Sequence, residues 1–511
     1  MSKKSTTDTC CLTLPLVLEK WQKDKLEKRF EIARQIYNTL LNYELKKLRI
    51  LEENPDYIEI TEKIKEEKSK EKTSNKDLNK LYNIRNTFLK NAGFSEYSFK
   101  YDMKPFYKHF NDNIKSNVAV HGIASQVWQA FDKMFFGNGK TVHFKKCGEI
   151  TSLKGYSASG KSGGIEIIYR ETYIEWNGLR LLIKIDKNNL YEQDMLKKRV
   201  KYCRIIRKRG KNADHWYVQL SLEGRPTIKV DSLTGEIKHP IGHGAVGIDI
   251  GPRTIAIVSN NEVSLLELAD KVENIEKQKN KLQRRLDRSR RALNPDNFNK
   301  DGTIKRGIKL VWIKSKNYIK CQKELAYIHY RQAEIRKRQH TDLANHILSL
   351  GDRIYIEDMQ WSSLTHRAKE TQISEKTGRF KKKKRFGKSV GNKAPATLTR
   401  ILKLKLESNE LGFYIKVPTT LKASQFNHMT KEYVKKDLSE RWNVMPDGKM
   451  IQRDLYSAFL LQHTNTNNDG FNIIELEKDY DNFVKLHDQQ IERLRSIPKT
   501  IASMGIVRTK R

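Results

Sequence analysis

The chain has no C-x-x-C pair. Its five cysteines, Cys10, Cys11, Cys147, Cys203 and Cys321, are scattered and odd in number, a pattern that supports neither a disulfide framework nor a cysteine zinc site. Three of them lie in strand-like or helical apolar contexts, the setting of a small buried thiol. No apolar run approaches the roughly 18 residues of a membrane span. The longest early run, Leu12 to Leu18, is broken by Thr13 and Pro15, and no small-residue cleavage site follows it, so neither an anchor nor a signal peptide is expected. The reading is a soluble, non-secreted protein. Acids are scarce beside bases: 61 Asp and Glu stand against 99 Lys and Arg, a net charge of +38. A field of that sign selects a polyanion, nucleic acid before an anionic membrane surface.

The stretch GYSASGKSGG, Gly155 to Gly164, has the spacing of a phosphate-cradling nucleotide loop. Such a loop opens a helix, whose free N–H groups hold the anion. Here Gly163 and Gly164 lead into IEIIYRETYIEW, which reads as a strand. ATP is therefore not expected, and Lys161 is assigned instead to an RNA or DNA backbone.

Along the chain, Cys11 to Leu18 predicts one strand. Phe30, Ala33, Tyr37, Leu40, Leu41 and Leu48 share a helical face within Leu26 to Leu51. Ile60 to Lys80 alternates Lys and Glu densely enough to be either a solvated helix or a mobile connection. Helical spacing resumes over Leu78 to Phe136. Within it Phe94, Tyr97, Phe99, Tyr101, Phe106, Tyr107 and Phe110 either form core or, mixed with Lys100, Lys104 and Lys108, stack on bases. From Lys140 the period falls towards two. Thr141 to Lys146, Gly164 to Tyr169, Tyr173 to Trp176, Leu179 to Ile185, Val200 to Lys208 and His215 to Leu222 predict a small antiparallel sheet or barrel.

GAVGIDIGPRTIAIV, Gly244 to Val258, predicts strand, turn and strand, with Asp249 alone in an apolar run. A carboxylate there must be compensated by a partner or a cation. RIYIEDM, Arg353 to Met359, repeats the pattern, and because Glu357 and Asp358 alternate, only one of them can share a face with Asp249. In QRDLYSAFLL a third acid, Asp454, begins a helix. Two strand carboxylates and one helix-start carboxylate at one end of a mixed sheet suit Mg²⁺ or Mn²⁺, a pair about 4 Å apart acting on a phosphodiester. Between the acids, Leu265 to Arg291 predicts a cation-dense helix carrying Arg284, Arg285 and Arg288, and Lys309 to Leu350 a second one carrying Lys316, Arg331, Arg336 and Arg338 among tyrosines. Lys145 and Lys146 in the barrel region, Lys383 and Arg385 in the run SEKTGRFKKKKRFGKSVGNK, and Arg453 beside Asp454 complete the candidate nucleic-acid contacts.

These segments resemble the transposon-encoded TnpB proteins and the compact type V CRISPR effectors, which carry a split RuvC nuclease. GIDIGPRTIAIV resembles the first nuclease motif, IYIEDMQ the second and QRDLYSAFLL the third. SKNYIKCQKELAYIHYRQAEIRKRQHTDLANHI is similar to the bridging helix pair, KLKLESNELGFYIKVP to the helix and strand after the second motif, and VAVHGIASQVWQAFDKMFFGNGKTVHFKK to the segment returning to a wedge barrel. The resemblance implies an α+β, multidomain, bilobed protein: a wedge-like antiparallel β-barrel (1–19 and 140–240) interrupted by a helical recognition insertion (20–139), then a ribonuclease-H-like RuvC nuclease domain (241–511) with a basic lid loop (374–393). It implies a guide noncoding RNA and double-stranded target DNA as partners, a prokaryotic cytoplasm as the setting, and Asp249, Glu357 and Asp454 as catalytic metal ligands. Oligomeric state and the origin of the guide are left open. A guide-dependent binding protein without cleavage, and a guide-independent resolvase or ribonuclease, are the alternatives. Two departures stand out. Where the family carries a zinc ribbon, residues of about 421–450 hold no cysteine, and His428 alone makes no zinc site. Gln452, Tyr456, Ser457 and Leu460 also replace the usual third-motif residues.

Overall fold

The computed structural model describes residues 7–506 apart from 71–74, 138, 157–165, 212, 273, 368–369, 374–377, 379, 381–385, 410–411, 438–439 and 499–500. The chain divides into two units, Met1–Ile228 and Lys229–Arg511.

In the first unit, β1 (Thr9–Val17) is followed by six helices, α1 (Lys20–Glu52), α2 (Pro55–Ser69), α3 (Asn75–Asn91), α4 (Glu96–Asp102), α5 (Lys104–Ile114) and α6 (Asn117–Phe135). Then come β2 (Ser152–Gly155), β3 (Ile168–Arg170), β4 (Tyr173–Trp176), β5 (Leu179–Ile183), α7 (Leu190–Leu196), β6 (Val200–Lys208) and β7 (His215–Glu223). The strands form one antiparallel sheet in the order β2-β6-β7-β1-β5-β4-β3. Its ends nearly meet, because Tyr156 bridges Ile168 and its N–H donates to the Ile167 carbonyl at 2.7 Å. A side chain at Gly155 would place Cβ 2.4 Å from that carbonyl, so only glycine lets the barrel close. β1 serves both halves, its first seven residues pairing with β7 and its last two with β5. Its alternate residues Cys10, Leu12 and Leu14 are buried, the period of a half-buried strand.

Helix α1 lies on the barrel through the face read from sequence: Phe30, Ala33, Tyr37, Leu40, Leu41 and Leu48 are all buried, and Phe30 meets Trp216 edge-on at 4.9 Å. Arg29 is buried with no carboxylate partner among the described residues. It donates to the Trp176 and Asn177 carbonyls, both at 2.8 Å, and lies 4.4 Å over the Trp176 ring. Burial pushes its pKa down to about 10, and the carbonyls and ring offset the cost of keeping the charge.

Two expectations for this unit change. Thr141 to Lys146 is not a strand, because its Lys145 N–H and carbonyl bond to side chains of α1, Asn38 and Arg34, rather than to a neighbouring strand. The aromatic patch divides: Phe94 and Phe99 are core, Phe106, Tyr107 and Phe110 pack against it, and Tyr97 and Tyr101 are exposed.

The second unit is built on a five-stranded mixed sheet of β8 (Ala245–Ile250), β9 (Thr254–Val258), β10 (Val263–Glu267), β11 (Arg353–Glu357) and β12 (Phe413–Val417), in the order β10-β9-β8-β11-β12. The first three form an antiparallel meander, and β11 lies parallel to both β8 and β12. Helices α8 (Glu276–Leu293), α9 (Lys316–Leu350), α10 (Trp361–Thr365), α11 (Gly387–Lys393) and α12 (Pro395–Asn409) fall before β12 in the chain. After it come two small hairpins, β13 (Phe426–Asn427) with β14 (Glu432–Tyr433) and β15 (Trp442–Val444) with β16 (Met450–Gln452), then α13 (Arg453–Gln462) and α14 (Ile473–Ser496). One sheet face, Val246, Ile248, Ile354 and Ile356, packs with Ala344, Ile347, Leu398 and Leu402 of α9 and α12. The other, Ala256, Val258 and Leu265, packs with Leu455, Phe459 and Phe483 of α13 and α14.

Three sequence expectations change in this unit. The helix expected from Leu265 begins only at Glu276, because Val263 and Leu265 pair with β9 and enter the core. The helix expected from Lys309 begins at Lys316, where the Ser315 hydroxyl accepts the Tyr318 N–H at 3.0 Å. Of the basic run 374–393, residues 387–393 are helical, and Lys393 is buried with its ammonium on the Ala269 carbonyl and Glu267. Among the described residues no helix is long and apolar enough to cross a membrane.

Candidate active site

Registry between β8 and β11 sets the first two acids side by side. Ile356 pairs with Ile248 in the parallel ladder, so one residue further on Glu357 lies beside Asp249, at the carboxyl ends of both strands and on one face. Ile248 and Ile356 occupy the opposite face, which is why both acids emerge on the side that carries α13. Asp358 points the other way, exposed, with Lys416 at 2.7 Å.

Gly247 determines how α13 meets that face. A Cβ there would stand 1.9 Å from the Ala458 carbonyl and 2.4 Å from the Gln462 nitrogen, so the helix rests directly on the strand backbone. One turn back from Ala458, about 6 Å, is Asp454; two residues on from Gly247, also about 6 Å, is Asp249. The contact therefore brings the N-terminus of α13 over the carboxyl end of β8. Gly247→Ala must push the helix off the sheet: a loss of about 2 kcal/mol is expected from the overpacking, read as a lower urea midpoint.

The electrostatics follow from this crowding. Burial, then the charges of Asp454 and Glu357, push the Asp249 carboxyl up to about 8, while a hydrogen bond from Ser457 and the Arg453 charge act the other way. Burial also raises the Glu357 carboxyl. Asp454 lies between two guanidiniums, Arg453 at 3.3 Å and Arg441 at 3.6 Å. The backbone holding it is fixed from beneath: Gln452 accepts the Leu455 N–H at 2.8 Å, and its own N–H donates to Nε2 of the buried His487 at 3.0 Å. Among the described residues no three His, Cys, Asp or Glu side chains are drawn into a ready-made metal cage. The three carboxylates thus lie within electrostatic reach of one another, not in coordination geometry. As hard oxygen donors that repel one another, they suit a divalent cation such as Mg²⁺ or Mn²⁺.

Arg441 has no place in the sequence reading, and Ser457 enters it only as a departure from the third motif. Ser457 was legible, since three residues from Asp454 it shares that helix face. Arg441 was not, because it reaches Asp454 only when the β15–β16 hairpin folds back and the Arg453 N–H bonds the Arg441 carbonyl at 2.8 Å.

The expected nucleic-acid contacts separate. Arg284, Arg285 and Arg288 are exposed on α8, and Lys316, Arg331 and Arg338 on α9, Arg338 standing 4.0 Å from Asp342. Lys146 is exposed, while the Lys145 ammonium sits 4.9 Å over the Tyr37 ring. Two cations have internal partners instead of a free face. Arg336 donates to the Gly391 and Asn392 carbonyls and fastens α11 to α9; Arg453 donates to the Asp437 and Glu440 carbonyls as well as pairing with Asp454. Lys161, Lys383 and Arg385 lie outside the described residues, and the segment containing Lys161 connects two strands, β2 and β3. In the cysteine-free insert, His428 is buried, with the Tyr456 hydroxyl 2.7 Å from Nδ1 and accepting its N–H at 3.1 Å.

No protein-family model matches the chain, and no curated protein matches it significantly. Among solved structures, the chain is similar to the protein of a Cas12f1–sgRNA–target DNA complex, at 12% identity over 90% of this chain and 99% of that one with a TM-score of 0.44. It is also similar to a chain of a CRISPR–Cas12f ternary complex, at 14% identity over 88% of this chain and 82% of that one with a TM-score of 0.24.

Proposed function

We propose that this chain is an RNA-guided DNA endonuclease with a RuvC-type, ribonuclease-H-like site. The observation that carries the reading is the meeting of Asp249 and Glu357 on adjacent parallel strands with Asp454 at the start of the helix laid across Gly247. The motif resemblance to TnpB and the compact type V effectors supports the same assignment, and the net charge of +38 suits a protein that holds both a guide RNA and target DNA.

In this reading Asp249, Glu357 and Asp454 would hold Mg²⁺ or Mn²⁺, which when bound supplies the polarisation of an attacking water and of the leaving oxygen of a phosphodiester. The protein's own part is placement. Ser457 orients Asp249 through its hydroxyl. Gln452 and His487 fix the backbone that presents Asp454. Arg453 and Arg441 balance the Asp454 charge, and Arg441, partly exposed at the edge of the site, is placed to donate to a non-bridging phosphate oxygen. Exposed cations of α8 and α9 would hold strand backbones while pairing with the guide reads sequence.

A second reading, guide-dependent binding without cleavage, is favoured by one observation: Asp454 is already engaged by two guanidiniums. The guide itself is tested by purifying the protein expressed with its genomic flank and sequencing the RNA that comes with it. A single discrete noncoding RNA is expected; random fragments would remove guidance and leave a guide-independent nuclease.

A further inference from the structure

Between α8 and α9 the segment Asn294–Ser315 forms a hydrogen-bonded loop, several of whose apolar side chains face outward. Asn294 pins both sides of it, its amide donating to the Arg290 carbonyl at 2.9 Å and the Ile313 carbonyl at 3.0 Å and accepting the Ile313 N–H at 2.6 Å. Asn297 adds a bond to the Val311 carbonyl at 2.7 Å. Phe298 and Trp312 meet edge-on at 5.7 Å, with the Arg291 guanidinium 4.8 Å over Phe298 and Arg290 5.4 Å over Trp312. Yet Ile308, Val311 and Ile313 remain 61%, 73% and 62% exposed.

A loop needed only as a connection gains nothing by presenting three branched apolar side chains to water. Arg306, Lys309 and Lys314 stand exposed among them, with no ion pair among the described residues. Of the two acids, Asp301 is engaged by the Thr303 hydroxyl and N–H. An apolar protein surface would have to accept these cations unpaired. A nucleic-acid duplex satisfies both features, since phosphates meet the cations and branched apolar side chains enter between base steps of the minor groove. The loop is also continuous with α8, whose Arg284 and Arg288 are exposed.

We propose that Ile308, Val311 and Ile313 form an apolar wedge that enters the minor groove of a DNA duplex while Lys309 and Lys314 grip its phosphates. This rests on the nucleic-acid reading above. The test uses the full chain and a DNA duplex carrying 2-aminopurine, whose fluorescence rises when a base step unstacks. Binding of the unaltered protein should raise the fluorescence. Ile308→Ser/Val311→Ser/Ile313→Ser should abolish that rise and weaken binding about tenfold with the salt slope unchanged, whereas Lys309→Ala/Lys314→Ala should lower the slope by about 2. Circular dichroism checks that both variants fold. Equal affinity and equal fluorescence for the serine variant overturn the wedge alone. So does a change of mass by light scattering in that variant, which makes the face a protein–protein surface, and so does a fluorescence rise confined to an RNA–DNA hybrid. Failure of the unaltered protein to bind any nucleic acid overturns the wider reading with it.

Discussion

Asp249→Asn is expected to lower metal-dependent cleavage on the order of 10³-fold and at the same time to make the metal-free protein more stable. The two effects have opposite signs because one arrangement causes both. Burial and the neighbouring charges of Asp454 and Glu357 push the Asp249 carboxyl up to about 8. The folded protein therefore keeps a proton that the unfolded chain has released near pH 4, and stability falls as pH rises between the two values. Asparagine fills the same space without that charge. The variant and the original should melt together at pH 4, with the variant ahead by roughly 5 °C at pH 8.5. Mg²⁺ should close the gap by stabilising only the protein that retains its three carboxylates. Thermal melts at two pH values, with and without Mg²⁺, check all of this. A variant no more stable than the original at pH 8.5 would show that the carboxylate is already compensated.

The second large effect concerns α8. Arg284, Arg285 and Arg288 are exposed and, among the described residues, carry no ion pair, while Arg290 and Arg291 on the same helix both pair with Asp287. Replacing the first three with alanine should weaken binding of duplex DNA about 10²-fold at physiological salt and reduce the log–log salt slope by about 2 to 3. The melting temperature should stay within about 1 °C, because no packed group is removed. Anisotropy titrations across a range of NaCl concentrations read both quantities. A large loss of affinity with an unchanged slope would mean that these arginines act through the fold instead of through phosphates.

The carboxylates were legible because period two is a strong rule: Asp249 and Glu357 interrupt apolar strands at matching places, and alternation alone separates Glu357 from Asp358. The Asp454 helix was legible from its apolar face. Less was visible where partners are distant in sequence. Leu265 sits in a stretch rich in helix formers, and only pairing with β9 makes it a strand. Thr141 to Lys146 has the composition of a strand, yet its backbone is satisfied by Arg34 and Asn38 of a helix some hundred residues earlier. Lys393 closes a run that reads as solvated and is nonetheless buried, because Glu267 and the Ala269 carbonyl receive its charge. Arg336 and Arg453 read from sequence as phosphate contacts, and the carbonyls that engage Nη1 of each come from residues whose proximity the sequence does not show.

The central claim, a guided nuclease whose metal ligands are Asp249, Glu357 and Asp454, is tested most directly by cleavage. The protein is purified with its co-expressed RNA and incubated with a plasmid matching that RNA, in Mg²⁺ or in EDTA. Cutting is predicted in Mg²⁺ alone, with 5′-phosphate ends, and its loss in Asp249→Asn, Glu357→Gln and Asp454→Asn. It should persist in Asp358→Asn, because that side chain lies on the opposite face with Lys416. Cleavage that survives Asp249→Asn, or that depends on Asp358 and not on Glu357, would contradict the account.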